Sequence, residues 1–393
     1  MISATLPVYK RQPVAFERGE GAYLYATDGR RFLDFASGIA VTMLGHAHPH
    51  LVAELKSQAE KLWHVSNIFE IPQQTRLAER LVAHSFADTV FFSNSGAEAI
   101  ECGIKMVRKY HHATGHPERY RLICTNGAFH GRTLATIAAG GQKKHTEGFG
   151  PLPDGFDHVA FNNMNELRAA VTDKTAGILV EPVHGEGGIL PADKAFLEGC
   201  RKVADEYGLL LFFDEVQTGA GRTGKLFAYE TYGVAPDVMA IAKGFGGGFP
   251  VGACLATEKA AQGMTAGAHG STFGGNPLAT AVGNAVLDVL LSDGFLANVA
   301  RMAAHTRAAF AGVVKRHPDL FEEVRGLGLM LGLKCKIPSD AFGAHLLKNG
   351  LLTVGAGENV VRLAPPLIID ERHVDEAVQI VERTCLEWHQ TKH

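Results

Sequence analysis

The sequence predicts an α/β fold with a largely parallel sheet, and three observations carry that reading. Short apolar runs recur between about residues 88 and 257, they alternate with longer stretches of helical period, and most of them are apolar throughout. Strand and helix in alternation build a sheet whose strands run the same way, and strands covered on both faces by helices are apolar at every position.

Taken in order, strands are expected at 89–93, 121–125, 158–161, 177–180, 209–213, 238–242 and 253–256. Between them, 97–114, 164–172 and 193–207 carry apolar residues three and four apart, and Gly115 and Gly208 stop two of these helices. Ligands of such sheets gather beyond the carboxyl ends of the strands, so the polar and glycine-rich segments that follow the strands are where chemistry is expected. The pattern changes after Pro277: a long helical stretch leads to 323–333 and 360–366, which read as a smaller α+β unit. Residues 23–35 read as a hairpin turning at Asp28 and Gly29. We therefore expect a large domain over 51–285, a small domain over 286–393, and an N-terminal segment, 1–50, that packs on the small domain and against a partner subunit.

A chain of 393 residues that is 46% hydrophobic can bury a large core. Its formal charge of −3 comes from interspersed acids and bases with no run of like charge, which argues against nucleic acid and anionic membranes as partners. The six cysteines are too far apart for a zinc knuckle and too sparse for a disulfide scaffold, so reduced thiols and no metal site are expected. His46, His48 and His50 alternate without an accompanying ligand set and read as a turn, on the surface or near a ligand mouth. His111 and His112 read as solvated helix residues. The start, Met1–Lys10, lacks a signal-peptide layout, and no stretch of some eighteen consecutive apolar residues follows, so a soluble cytoplasmic protein is expected.

Three segments stand where chemistry is expected. After the apolar run ending at Ser93, Asn94-Ser-Gly-Ala-Glu98 opens a helix, and free amides beside a glycine make a phosphate site; Ser95 as an ordinary N-cap is the plainer alternative. The run 209–213 ends in Asp214-Glu215-Val216-Gln217, which puts a carboxylate at a strand's end, as a catalytic group, a cap or a magnesium ligand. The run 238–242 ends in Lys243, followed by Gly-Phe-Gly-Gly-Gly. A lysine ending a buried strand is costly to desolvate, and desolvation is what a nucleophilic amine needs. A Walker A loop places its lysine after the glycines, not before them; a lysine that snorkels to solvent stays open. Together, a phosphate cradle, an acid and a buried lysine are the parts of a pyridoxal phosphate site.

The ordered motifs Asn94-Ser-Gly-Ala-Glu-Ala99, Phe129-His-Gly-Arg-Thr133, Glu181-Pro-Val-His-Gly-Glu-Gly-Gly188, Asp214-Glu-Val-Gln-Thr-Gly219, Lys243 with its glycines, and His269-Gly-Ser-Thr-Phe-Gly-Gly-Asn-Pro277 resemble the class III aminotransferases of pyridoxal phosphate fold type I. The match spans about Asp28 to Pro366. Within that class, Ser37-Gly-Ile-Ala-Val41, Leu44-Gly-His-Ala-His-Pro49 and the Phe129 motif are most similar to acetylornithine aminotransferases.

The resemblance implies that Lys243 carries the cofactor, that Asp214 pairs with its ring nitrogen, and that Phe129 and Val216 clamp the ring. It sets Gln217 near the phenolic oxygen, counts Glu215 among the cofactor-binding residues, and assigns the phosphate to the Gly96 and Ala97 amides and to Thr272 reaching across a homodimer. Many members have threonine where this chain has Ala97, so one hydroxyl contact is absent. Arg132, with Ser271 nearby from the partner chain, would hold the amine donor's carboxylate. Arg362 would hold 2-oxoglutarate, and Glu186 would mask that arginine otherwise. The implied reaction moves the δ-amino group of N2-acetyl-L-ornithine to 2-oxoglutarate. Ornithine, succinylornithine, 4-aminobutyrate and N-succinyl-diaminopimelate aminotransferases and a semialdehyde aminomutase share the same apparatus. A non-catalytic cofactor-binding protein would be expected to lack Lys243 or Asp214.

Overall fold

The computed structural model describes residues 4–390; Met1 to Ser3, at the head of the expected leaderless start, lie outside the described residues. Its centre is a seven-stranded sheet in the order Thr89–Ser93, Gly252–Ala256, Val238–Ile241, Leu210–Asp214, Thr175–Val180, Arg121–Thr125, Phe156–Val159. Gly252–Ala256 alone is antiparallel to its neighbours; the other six run one way. Leu210–Asp214 is buried at every residue because helices cover both faces. Phe212 within it is fully buried, so truncation to alanine costs about 3–5 kcal/mol.

The helix Gly96–Ala113 lays its apolar stripe, Ile100, Ile104 and Val107, against this sheet. His111 extends the same stripe, which corrects its reading as a solvated residue: it is buried, its Nε2 lies 2.8 Å from the Ala176 carbonyl, and burial pushes its pKa down. Four residues beyond Val107, it had to fall on the covered face. The edge strand begins at Phe156 rather than 158, since Leu122 pairs with Phe156, and the Phe161 ring leaves the sheet to stack on His184 at 3.8 Å.

The predicted hairpin forms from Tyr23–Ala26 and Arg31–Asp34, and its second strand continues in parallel with Leu351–Leu352 from far along the chain. A further antiparallel sheet holds Phe321–Leu327, Met330–Cys335, Val360–Leu363 and Val354–Ala356. The helices Phe295–Arg316 and Glu371–Gln390 pack on each other and on that sheet's side of the core. His46 and His50 each face a carboxylate, Asp34 at 2.8 Å and Asp288 at 2.9 Å. All six cysteines are free and buried. Among the described residues no single helix is long and apolar enough to cross a membrane.

Candidate active site

The carboxyl ends of neighbouring strands open onto one cavity of about 320 Å³. Parallel pairing of Phe213 with Val180 and of Asp214 with Ala240 sets Glu181, Asp214 and the Lys243 turn side by side around it. The helix Gly96–Ala113 begins at its rim. Ser95 caps that helix, its Oγ accepting from Glu98 N at 3.3 Å, while Glu98 Oε2 accepts from Asn94 N at 2.6 Å. The Gly96 and Ala97 amides are left facing the cavity with no intrahelical acceptor, at the positive end of the helix dipole. A Cβ at Gly96 would stand 2.7 Å from Val216 Cγ1, so only glycine lets this rim close on the valine.

Asp214 uses both carboxylate oxygens: Oδ1 accepts from Val216 N at 3.0 Å and Oδ2 lies 2.7 Å from His130 Nδ1. Lys243 stands at the cavity wall in a left-handed conformation, φ 47°, and burial followed by the nearby Arg362 charge pushes its ammonium pKa down. Glu181 is buried, accepts from Phe129 N at 3.1 Å, and is held well above the usual carboxylate range by burial and then by Asp214. Arg362 reaches in from the second sheet, buried, with Nη1 at 2.7 Å from Glu186 and 2.9 Å from Gln217. For Glu186 burial works against ionisation, yet Arg362 more than offsets it and the pKa falls.

Gly96, Ala97, Phe129, Asp214, Val216, Gln217 and Lys243 thus surround a single cavity. Glu215, expected among the cofactor-binding residues, does not line this cavity. Successive strand side chains point to opposite faces, so with Asp214 in the cavity Glu215 turns the other way, accepting from Ala228 N and Tyr229 N at 2.6 and 2.8 Å. Arg132 is exposed, its guanidinium 5.6 Å from the Phe129 ring centre. Ser271 accepts from Gly274 N, and Thr272 beside it is exposed and outside its own chain's cavity. Glu186 and Arg362 meet each other just beyond the cavity lining.

Sequence reasoning missed Glu181, His130 and Val41. Glu181 carries the signal that picked out Asp214, an acid directly after the apolar run 177–180 of a fully buried strand. Val41 follows four consecutive residues with positive φ, Ser37 to Ala40 at 48–67°, a left-handed turn that nothing in the local sequence except Gly38 announces.

Open amides at a helix start, an amine whose proton is disfavoured, and a doubly anchored carboxylate across from it match the phosphate, aldehyde and ring nitrogen of pyridoxal phosphate, so the residues present fit that group. Fold and cavity together define a pyridoxal phosphate-dependent enzyme. The chain belongs to the class-III aminotransferases: the family model described as aminotransferase class-III matches residues 6–385. It is 58% identical over 385 residues, 97% of this chain and 96% of the other, to the acetylornithine aminotransferase of Agrobacterium fabrum. Among solved structures it resembles the N-acetylornithine aminotransferase of Stenotrophomonas maltophilia, with TM-score 0.86, 40% identity, and 98% of both chains covered. The ornithine aminotransferase of Toxoplasma gondii gives TM-score 0.94 at 28% identity, covering 99% of this chain and 93% of that one.

Proposed function

We propose that this chain transfers the δ-amino group of N2-acetyl-L-ornithine to 2-oxoglutarate, giving N-acetyl-L-glutamate 5-semialdehyde and L-glutamate, a step of arginine biosynthesis in the cytoplasm. The observation that carries the choice within the class is the 58% identity, over nearly the whole chain, to a relative bearing that name.

When bound, pyridoxal phosphate supplies an electron-accepting ring and an aldehyde that takes up amino groups. The residues do the rest. Gly96 and Ala97 amides would hold the phosphate, Phe129 and Val216 would clamp the ring, Asp214 would pair with its nitrogen, and Gln217 would hold its phenolic oxygen. Lys243, its charge disfavoured by burial, presents a neutral amine and then moves the proton at the reacting carbon. Arg132 and Ser271 hold the carboxylate of the amine donor. Arg362 takes the carboxylate of 2-oxoglutarate by exchanging it for Glu186, a like-for-like swap that keeps a buried guanidinium paired throughout.

The same reading assembles the enzyme as a homodimer, with Thr272 completing the partner's phosphate site. Support comes from the surface around it. Trp63, Ile68, Phe69 and Phe273 are all more than half exposed, the Phe273 ring rests on His64 at 5.3 Å, and Asn67 ties the two loops by donating to the Ser271 and Gly274 carbonyls. Apolar surface gathered in this way marks an interaction face. Residues 51–285 form the large domain of this reading, 286–393 the small domain bearing Arg362, and 1–50 the segment laid against it.

The test is a panel of amine donors with 2-oxoglutarate as acceptor. N-acetylornithine is expected to exceed ornithine and 4-aminobutyrate in kcat/KM by about tenfold or more, the worth of roughly 1.4 kcal/mol in the transition state. A higher value for ornithine, 4-aminobutyrate or N-succinyl-diaminopimelate overturns the assignment.

A further inference from the structure

Phe129 lines the cavity, and two further side chains meet its ring. The Arg132 guanidinium lies 5.6 Å from the ring centre, and the His145 imidazole, also at 5.6 Å, stands edge-on to it at 79°. His145 sits in the short helix Lys143–Thr146, and its place beside Phe129 is fixed by the residue before that helix. Gln142 donates from Nε2 to the Ala128 carbonyl at 2.6 Å and accepts from His145 N at 2.8 Å. The helix is thereby fastened to the segment that leads into Phe129. The chemistry set out above makes no use of His145.

His145 is half-buried, and neither of its ring nitrogens is bonded among the described residues. Burial, then the Arg132 and Lys144 charges, push its pKa below the ordinary 6.5, and the Glu186 carboxylate offsets them only in part. The ring is therefore uncharged at neutral pH and carries one donor and one acceptor. No described acid pairs with Arg132 either, so a free cation and a neutral donor–acceptor pair stand together. An amino acid presents the matching groups on one carbon, its carboxylate and its α-nitrogen. A free α-ammonium brought here would meet Arg132 and Lys144 with no acid to spare, because Glu186 is held by Arg362 at 2.7 Å. Acylation removes that charge and leaves an N–H and a C=O, the complement of what His145 offers.

We propose that His145 is a specificity-determining residue: its ring hydrogen-bonds the acylamino group of an N-acylated donor while Arg132 holds the carboxylate on the same carbon. The proposal rests on the functional reading above, in which Arg132 takes that carboxylate.

The test compares two donors on the holoenzyme with 2-oxoglutarate as acceptor: N-acetylornithine, and 5-aminopentanoate, which keeps the carboxylate and the reacting amine but has no α-nitrogen. His145→Phe keeps a ring against Phe129 and loses both nitrogens. It is expected to lower kcat/KM for N-acetylornithine about tenfold while changing that for 5-aminopentanoate, and KM for 2-oxoglutarate, by less than about threefold. His145→Asn and His145→Gln set an amide where Nδ1 or Nε2 stood, and one of them is expected to come within about threefold of the unaltered enzyme. An equal fall for both donors in His145→Phe, no fall for either, or two amide variants as impaired as the Phe variant overturns the proposal. The unaltered enzyme separates the two levels. A preference there for ornithine over N-acetylornithine sinks the functional reading itself, whereas a preference for N-acetylornithine that survives His145→Phe undiminished removes only the role of His145.

Discussion

Two regions of the molecule bear on the same cavity and are built to different degrees. The strand ends bring Asp214, Glu181 and Lys243 together within one chain, each on a buried ladder that leaves it little freedom. Thr272 and Arg132 are exposed, Ser271 is half-buried, and none of the three lines the cavity of its own chain. The difference teaches that the strand-end groups are set in place by the fold of one chain, whereas on the proposed reading the exposed groups are still to be organised by a substrate or a second chain.

That contrast can be broken at several points. The largest effect is expected at the rigid end: Lys243→Ala should lower turnover by about 10⁴-fold and remove the visible absorbance of the bound cofactor, as steady-state rates and a spectrum of the purified variant would reveal. Retained turnover would end the present reading of the cavity. The direction of the Lys243 shift gives a companion test. Because the folded site lowers its pKa below 10.5, its neutral amine appears at lower pH than that of surface lysines. In cofactor-free protein an amine-directed reagent should therefore label Lys243 at pH values where exposed lysines are still silent, as read by peptide mass spectrometry.

Next comes Arg362. Its replacement by alanine leaves Glu186 in a mostly enclosed position without its partner and takes away the guanidinium, so kcat/KM for 2-oxoglutarate should fall about 100-fold or more. The amine half-reaction, followed separately in single turnovers, should fall far less, and an equal loss in both halves would contradict the exchange with Glu186. The smallest effect is expected in the open region. Thr272→Ala should weaken cofactor retention about tenfold, the worth of one hydrogen bond to a charged group. Phe273→Glu should weaken both self-association and activity, measured by sedimentation and assay on the same samples; loss of association with full activity would make the chain self-sufficient after all.

How much of this was legible beforehand follows the same divide. The inner strands could be placed from apolar runs, because strands covered on both faces have little polar choice, and Asp214 and Lys243 at their ends announced the cavity; the edge strand, which carries Asp157 and His158, was expected two residues late. What periodicity could not give was sidedness and partnership at long range. His111 belonged to the buried stripe by its spacing from Val107, but a polar side chain hides that signal. Glu215 shared a motif with Asp214 and faced the other way by simple alternation. The pairing of Leu33 with Leu351 joins segments that no local pattern connects, and the bond from His130 to Asp214 depends on where two distant loops cross.

The one reversed strand of the central sheet is Gly252–Ala256. A crossover to a parallel neighbour would spend a helix between the strands; here the chain doubles back over the loop that runs from Lys243 to Val251. One edge of that strand is zipped to the ladder that ends at the lysine, Ile241 opposite Ala253, and the other to the ladder that leads into the helix start, Gly252 opposite Ser93. The spacing from amine to anion cradle is thus gauged by a single ruler with no slack in it. Where Gly244 passes under Met43, even a Cβ would come within 2.4 Å of the sulfur. Insertions that surface loops absorb without notice would, at this hairpin, throw the two ends of the cofactor out of register together.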